Sequence, residues 1–247
     1  MSYIDGFVIA CPTANKDKFI AHAKMGDSVF MDLGATRVVE CWGDDVPEGK
    51  VTDFRMAVKA KPDEAVIFSW IEWPDKATRD AAFAKMTEWM QNPEKGDPRM
   101  DPEKNPMPFD GKRMIFGGFK AIVELGDTSK GDYVQGFLLP VRDNRQEDYR
   151  KLETESWPFF EKYGATGVVA AWGDDVPEGE QTDFYRAVKA EDSEKVVFAW
   201  MTWPDKATCD AVAAEMENDP EMKMPDDMPF DGMRMVWAGF KPVVQLD

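Results

Sequence analysis

Along the chain the apolar positions fall into short strand-like and longer helix-like runs, and the series then repeats. Tyr3–Ala10 (YIDGFVIA) is dense in β-branched and aromatic side chains and reads as a strand, with Tyr133–Leu139 as its counterpart. Thr13-Ala14-Asn15 offers N-cap chemistry to a helix reaching Leu33 and closed by Gly34; the matching helix, Asn144–Tyr163, is closed by Gly164. Ala35–Trp42 is a second strand and Gly43–Thr52 a polar loop punctuated by Pro47 and Gly49. Asp53–Ala60 (DFRMAVKA) and Ala65–Trp73 read as two further strands joined by a hairpin loop, Lys61-Pro62-Asp63-Glu64. Pro74-Asp75 opens a second helix ending near Gln91, as Pro204-Asp205 does later. Asn92–Pro108, rich in Pro, Met and charge, is nine residues longer than its counterpart and reads as a surface loop. Arg113–Val123 is a last strand, and its Gly117-Gly118 pair, matched by Ala238-Gly239, marks a bulge or a close backbone approach. The order β-α-β-β-β-α-β is a ferredoxin-like α+β unit with one extra strand.

The string WGDDVPEG at Trp42–Gly49 recurs at Trp172–Gly179, and across residues 34–60 20 of 27 positions are identical to those 130 further on. The chain is therefore a fused pair of homologous modules, expected at 1–126 and 131–247 with a Gly126–Gly131 link. Strands such as Val66–Ile71 are apolar on both faces. A module's own helices can cover one face, and the second module is the natural cover for the other. The expected architecture is two ferredoxin-like sheets facing each other as an α+β barrel within one polypeptide, related by a pseudo-two-fold axis.

YIDGFVIACP, VVECWGDDVPEGKVTDFRMAVKA, VIFSWIEWPDKATRDAA and MPFDGKRMIFGGF resemble the DUF1428, or YbaA-like, family of bacterial proteins. The resemblance spans essentially all of residues 1–125, and residues 131–247 are similar but more divergent. It implies the dimeric α+β barrel group, here with both halves of the barrel in one chain, and supplies no catalytic residue. Cofactor-independent monooxygenases and haem-degrading enzymes also belong to that group, an analogy of fold only.

Composition narrows the partners. The net charge is −17, with −4 on residues 1–126 and −13 on 127–247. No block of Lys and Arg offers the basic footprint of a nucleic-acid surface, and anionic membranes would be repelled. Cys11, Cys41 and Cys209 are odd in number and lack C-x-x-C spacing, so neither a disulfide framework nor a metal site is expected. With no signal-like N-terminus and no membrane-length apolar run, a cytoplasmic protein is expected. No nucleotide-binding or nucleophile-elbow motif occurs and no cofactor is expected. Further homo-oligomerisation stays open.

The candidate chemistry lies where the modules differ. Glu40, Arg55 and Glu72 become Ala170, Tyr185 and Thr202. If all three stand on adjacent strands they meet as a Glu–Arg–Glu cluster beside Trp42 and Trp70. One reading is a satisfied ion cluster. The other is a pocket floor in which Arg55 binds an anionic or carbonyl group and a glutamate acts as base. Arg113, repeated as Arg234, is a further candidate ligand contact. The acids of WGDDVPEG read as turn-forming caps. His22, the only histidine, aligns with Leu152 and reads as a helix-packing residue; Cys41 reads as core. The expected function is small-molecule binding, with a cofactor-independent oxygenase- or isomerase-type enzyme as its catalytic form. The alternative is a non-catalytic structural or stress-associated assembly module. An open cavity lined by the candidate residues favours the first and a side-chain-filled barrel the second.

Overall fold

In a computed structural model, which describes residues 1–218 and 227–247, the long strands of both halves close into one sheet. The first half comprises β1 (Tyr3–Pro12), α1 (Lys16–Asp32), β2 (Arg37–Asp45), α2 (Phe54–Ala57), β3 (Glu64–Trp73), α3 (Lys76–Gln91) and β4 (Ile115–Gly126). The second comprises β5 (Tyr133–Arg142), α4 (Gln146–Lys162), β6 (Gly167–Asp175), α5 (Phe184–Ala187), β7 (Glu194–Trp203), α6 (Lys206–Asn218) and β8 (Val236–Leu246). Around the closed barrel the strands run β1-β3-β2-β8-β5-β7-β6-β4. Each half thus contributes four neighbouring antiparallel strands, and the seams are β2 with β8 and β4 with β6. Closure removes every free edge.

The expected strand Asp53–Ala60 is instead the short helix α2. Its apolar residues fit a period of two, but Phe54, Ala57 and Val58 also fit i, i+3, i+4, and all three are buried. Asp53 decides between the periods: its side chain accepts from the Met56 backbone N–H at 2.7 Å and caps the helix. Lys59 then takes φ 49° and turns the chain back. The Lys61–Glu64 turn therefore joins a helix to β3, and β2 pairs directly with β3. The same helix recurs as α5 behind Asp183. The anticipated cap in Thr13–Asn15 also differs: Asn15 Nδ2 donates to the Pro108 carbonyl at 2.7 Å, and no side chain caps α1.

The barrel interior is filled. Phe68 stacks on its own duplicate Phe198 with ring centroids 4.4 Å apart, and Trp70 stacks on Trp200 at the same separation. Phe54 packs edge-on against Phe68 and Phe240, and Phe184 against Phe119 and Phe198, so the two short helices bring aromatic side chains into the same core. Such geometry adds about 0.5–1.5 kcal/mol per pair to the burial of the rings. The small-residue pairs in β4 and β8 are explained by close approach. A Cβ on Gly118 would collide with the Tyr3 hydroxyl, and one on Gly239 with that of Tyr133.

The WGDD acids reach across the seams rather than capping their own turn. Asp44 pairs with Lys241 and Asp45 with Lys206; Asp174 pairs with Lys120 and Lys76, and Asp175 with Arg79. Thr52 Oγ1 donates to the Ala187 carbonyl and Thr182 Oγ1 to that of Ala57, a reciprocal pair across the pseudo-axis. The repeated motif thus fastens one module to the other.

Candidate functional site

Strand alternation sends Val66, Phe68 and Trp70 of β3 into the barrel and Ile67, Ser69 and Ile71 outward, beneath the helices. On β2, Val39 and Cys41 face inward, so Glu40 faces outward, beside Ser69. Over this outer face lies α1, whose inner stripe is Phe19, His22, Ala23, Gly26, Asp27 and Phe30, the i, i+3, i+4 spacing of one helix face. Between helix and sheet is a cavity of about 290 Å³, closed on its third side by the 92–110 segment through Arg99, Met100, Asn105, Met107 and Phe109. The segment is tied to α1: Arg99 bonds Ser28 and Asp32, and Asn105 bonds His22.

The cavity wall is apolar except for a few groups. Glu40 and Asp27 both reach it, with 8% and 7% of their surface exposed. Ser69 Oγ makes a short hydrogen bond to Glu40 Oε2. Burial raises Glu40 to about 7, the Ser69 bond opposing the shift in part. Asp27 is raised well above the usual carboxylate range, first by burial and then by repulsion from Glu40. Its Oδ2 is buried with no hydrogen-bond partner among the described residues. Two carboxyls in one low-dielectric space do not both ionise readily, so the pair retains a proton near neutrality.

His22 stands at the neck. Asn105 Nδ2 donates to the His22 and Arg99 carbonyls at 3.2 and 3.0 Å, so Oδ1 is the atom that faces His22 Nδ1, 2.8 Å away. That orientation puts the ring proton on Nδ1 and leaves Nε2 a bare acceptor. Burial lowers the histidine's pKa and favours this neutral ring.

The anticipated Glu40–Arg55–Glu72 cluster does not form. Arg55, on α2, donates to the Glu64 and Lys61 carbonyls at 2.9 and 2.6 Å and holds the turn before β3. Glu72 projects to the barrel side of the sheet, opposite to Glu40. There it accepts from Trp70 Nε1 at 2.8 Å and lies 3.9 Å from Arg37, its cross-strand neighbour. The arginine beside Glu72 is therefore Arg37, which becomes Gly167 in the second module. Trp70 borders the cavity while its ring stacks in the barrel. Trp42 packs on Phe19 beneath the Lys16 ammonium. Arg113 is held bidentately by Glu64, both bonds 2.7 Å, and Glu64 is lowered to about 2, chiefly by those bonds. Arg234 and Glu194 repeat the arrangement, which marks it as framework.

Asp27, Ser69 and Asn105 were not among the sequence candidates, and His22 reads from the sequence as a helix-packing residue. Three of the four carried a signal of the same kind as Glu40: at an offset of 130, His22, Asp27 and Ser69 become Leu152, Trp157 and Ala199. Divergence of the first helix reads as drift until the sheet beneath it is seen to differ at the facing positions. In the second module Trp157 is buried in an apolar cluster with Tyr149 and Ala170.

The closed barrel and paired ferredoxin-like halves define a protein of the dimeric α+β barrel class. Over 99% of its length the chain superposes on 95% of a candidate monooxygenase from Lactobacillus acidophilus NCFM, with TM-score 0.57 at 9% identity. It also superposes, again over 99% of its length, on 92% of an anthrone oxidase-like protein, with TM-score 0.52 at 12% identity. At these identities the likeness concerns the fold. Within that class the chain belongs to the DUF1428 family, described as a protein of unknown function, whose model matches residues 2–111 and again 132–232. The uncharacterized protein YbaA of Escherichia coli K12 is 53% identical over 124 residues, half of this chain and 99% of YbaA. One YbaA length thus corresponds to one of the two modules.

Proposed function

We propose that this chain binds a small, largely apolar molecule in the cavity between α1 and the first module's sheet and catalyses proton transfer at a carbon acid there. The observation that carries the reading is the pair of buried carboxyls, Asp27 and Glu40, on a largely apolar cavity, with Asp27 Oδ2 unpartnered among the described residues. Their environments set them apart. Asp27, the more strongly raised, keeps its proton and can donate it in a hydrogen bond to a carbonyl oxygen; Glu40, near 7, is the base. The substrate C–H bond breaks, its electron pair remains as an enolate, and its proton passes to Glu40. Return of that proton to a different carbon completes an isomerisation. Capture of the enolate by dioxygen would instead form a C–O bond and a peroxide anion, which takes the proton back from Glu40 as a hydroperoxide and loses water to leave a new carbonyl, a cofactor-independent oxygenation. The filled barrel interior supports the structural alternative for the barrel itself, which serves as scaffold to the site outside it.

The test is exchange of solvent deuterium into aryl and cyclic ketones, anthrone among them, followed by NMR. Exchange above the buffer rate that rises through about pH 7 is expected. Glu40→Gln should slow it by roughly 10²–10⁴-fold. Exchange undiminished in Glu40→Gln would remove the glutamate from the role of base.

A further inference from the structure

The side chains at the neck, His22, Asn105, Met107 and Phe109, also line a wider outer cleft of about 730 Å³. Lys18, Lys61 and Lys104 border this cleft and are exposed. The other charged groups there are already engaged, since Arg113 is held by Glu64 and Asp110. Lys104 pairs with Asp101, whereas no ion pair among the described residues engages Lys18 or Lys61. In the second module these two positions carry Asp148 and Glu191, so the sign of the charge is reversed where Trp157 replaces Asp27. On a chain of net charge −17, Lys18 and Lys61 at the mouth of an acid-lined cavity are a local exception to the field of the molecule, although Lys61 also acts electrostatically on Glu64 and Asp110 of the same cleft. The inner cavity, by contrast, excludes anions. Asp27 and Glu40 border it, and a second negative charge would be desolvated beside them.

We propose that the outer cleft is a carboxylate subsite of this pocket. Its ligand is an aryl or similarly apolar body seated in the inner cavity, with one carboxylate held outside the neck by Lys18 and Lys61. The assignment rests on the module-one cavity being the binding site. It fixes the orientation of the ligand: the apolar part meets the two buried carboxyls and the anion stays in solvent-accessible space, where lysine ammonium groups on long stems can follow it.

Isothermal titration of the full chain with 2-naphthylacetate and its neutral isostere 2-naphthylacetamide separates the two claims. The carboxylate should bind about tenfold tighter than the amide at low ionic strength, as two exposed charge contacts allow. The preference should shrink as NaCl is raised. In the Lys18→Glu/Lys61→Glu double variant, changed only at exposed positions, the preference should vanish while the amide binds as before. Asp27→Trp, which copies the second module, should weaken both compounds; Met100→Trp fills the cavity from the loop side if that variant does not fold. Equal binding of the two compounds, or a preference that survives the charge reversal, overturns the carboxylate subsite and leaves the inner pocket standing where filling still weakens the amide. Binding of neither compound, or binding that filling leaves unchanged, overturns the pocket and the subsite together.

Discussion

The first module lays a helix carrying His22 and Asp27 over a sheet carrying Glu40 and Ser69; the second lays Leu152 and Trp157 over Ala170 and Ala199. The two share strand order, short plugging helices, seam ion pairs and the Arg–Glu pair at the start of β3 and β7. What the duplication retained is thus the framework that closes the barrel, and what it changed lies largely on the outer face of the sheet. The change extends to the polar partners of the core. Trp70 and Trp73 donate their indole N–H groups to Glu72 and Asp5, whereas those of Trp200 and Trp203 have no partner among the described residues. Arg79, which holds Asp5 at 2.9 Å, is replaced by Cys209, and Asp5 by Gln135. A burial-driven scaffold tolerates such losses, at about 1–3 kcal/mol for each orphaned group. A site that needs two buried carboxyls does not.

If the barrel is symmetric in its energetics, the largest effect falls equally on both halves. Phe68→Ala and Phe198→Ala should each destabilise the chain by about 3–5 kcal/mol in chemical denaturation, since each removes one side of the same stacked pair. Costs differing by more than about 1 kcal/mol, beyond the usual error for comparable sites, would break the equivalence. The framework ion pair comes next: Arg113→Ala and Arg234→Ala leave Glu64 and Glu194 buried without their partner, a loss of about 3 kcal/mol each. A near-neutral Arg113→Ala would return that residue to the list of ligand contacts.

The third effect should appear in one module only. Glu40 titrates near 7 in the folded chain against an ordinary 4.5, so the folded state holds its proton more tightly than the unfolded one. The stability that Glu40 contributes is then fully present below about pH 4.5, falls as pH rises to about 7 and is level beyond, a loss on the order of 3 kcal/mol; Asp27, raised in the same direction, adds a fall of the same sign that continues to higher pH. Glu40→Gln should remove Glu40's share of that slope, leaving the part due to Asp27, and raise the melting temperature at pH 8. An unchanged pH profile would show that Glu40 is not one of the buried titrating groups. The smallest effect sharpens the contrast in the core. Glu72→Thr, copying Thr202, should cost about 1 kcal/mol, because Trp70 Nε1 loses its acceptor as Trp200 has done. A loss well above that in the melting curve would mean that the Arg37–Glu72 contact carries weight of its own.

The duplicated string, the two-module architecture, both long helices of the first half and the α+β barrel were legible from one-dimensional pattern, because repetition and apolar periodicity survive without knowledge of contacts. So was Glu40 as a position of interest, through its loss in the second copy. Tertiary structure decided the rest. DFRMAVKA satisfies two periods at once, and only the Asp53 cap and the burial of Phe54 against the barrel select the helix. That one element moved Arg55 off the sheet and dissolved the cluster inferred from it. Which carboxylate meets Glu40 was beyond the sequence for a related reason. Asp27 lies on a helix whose angular placement over the sheet is set by packing, and neither spacing nor charge along the chain specifies which of its faces closes over Glu40 and Ser69.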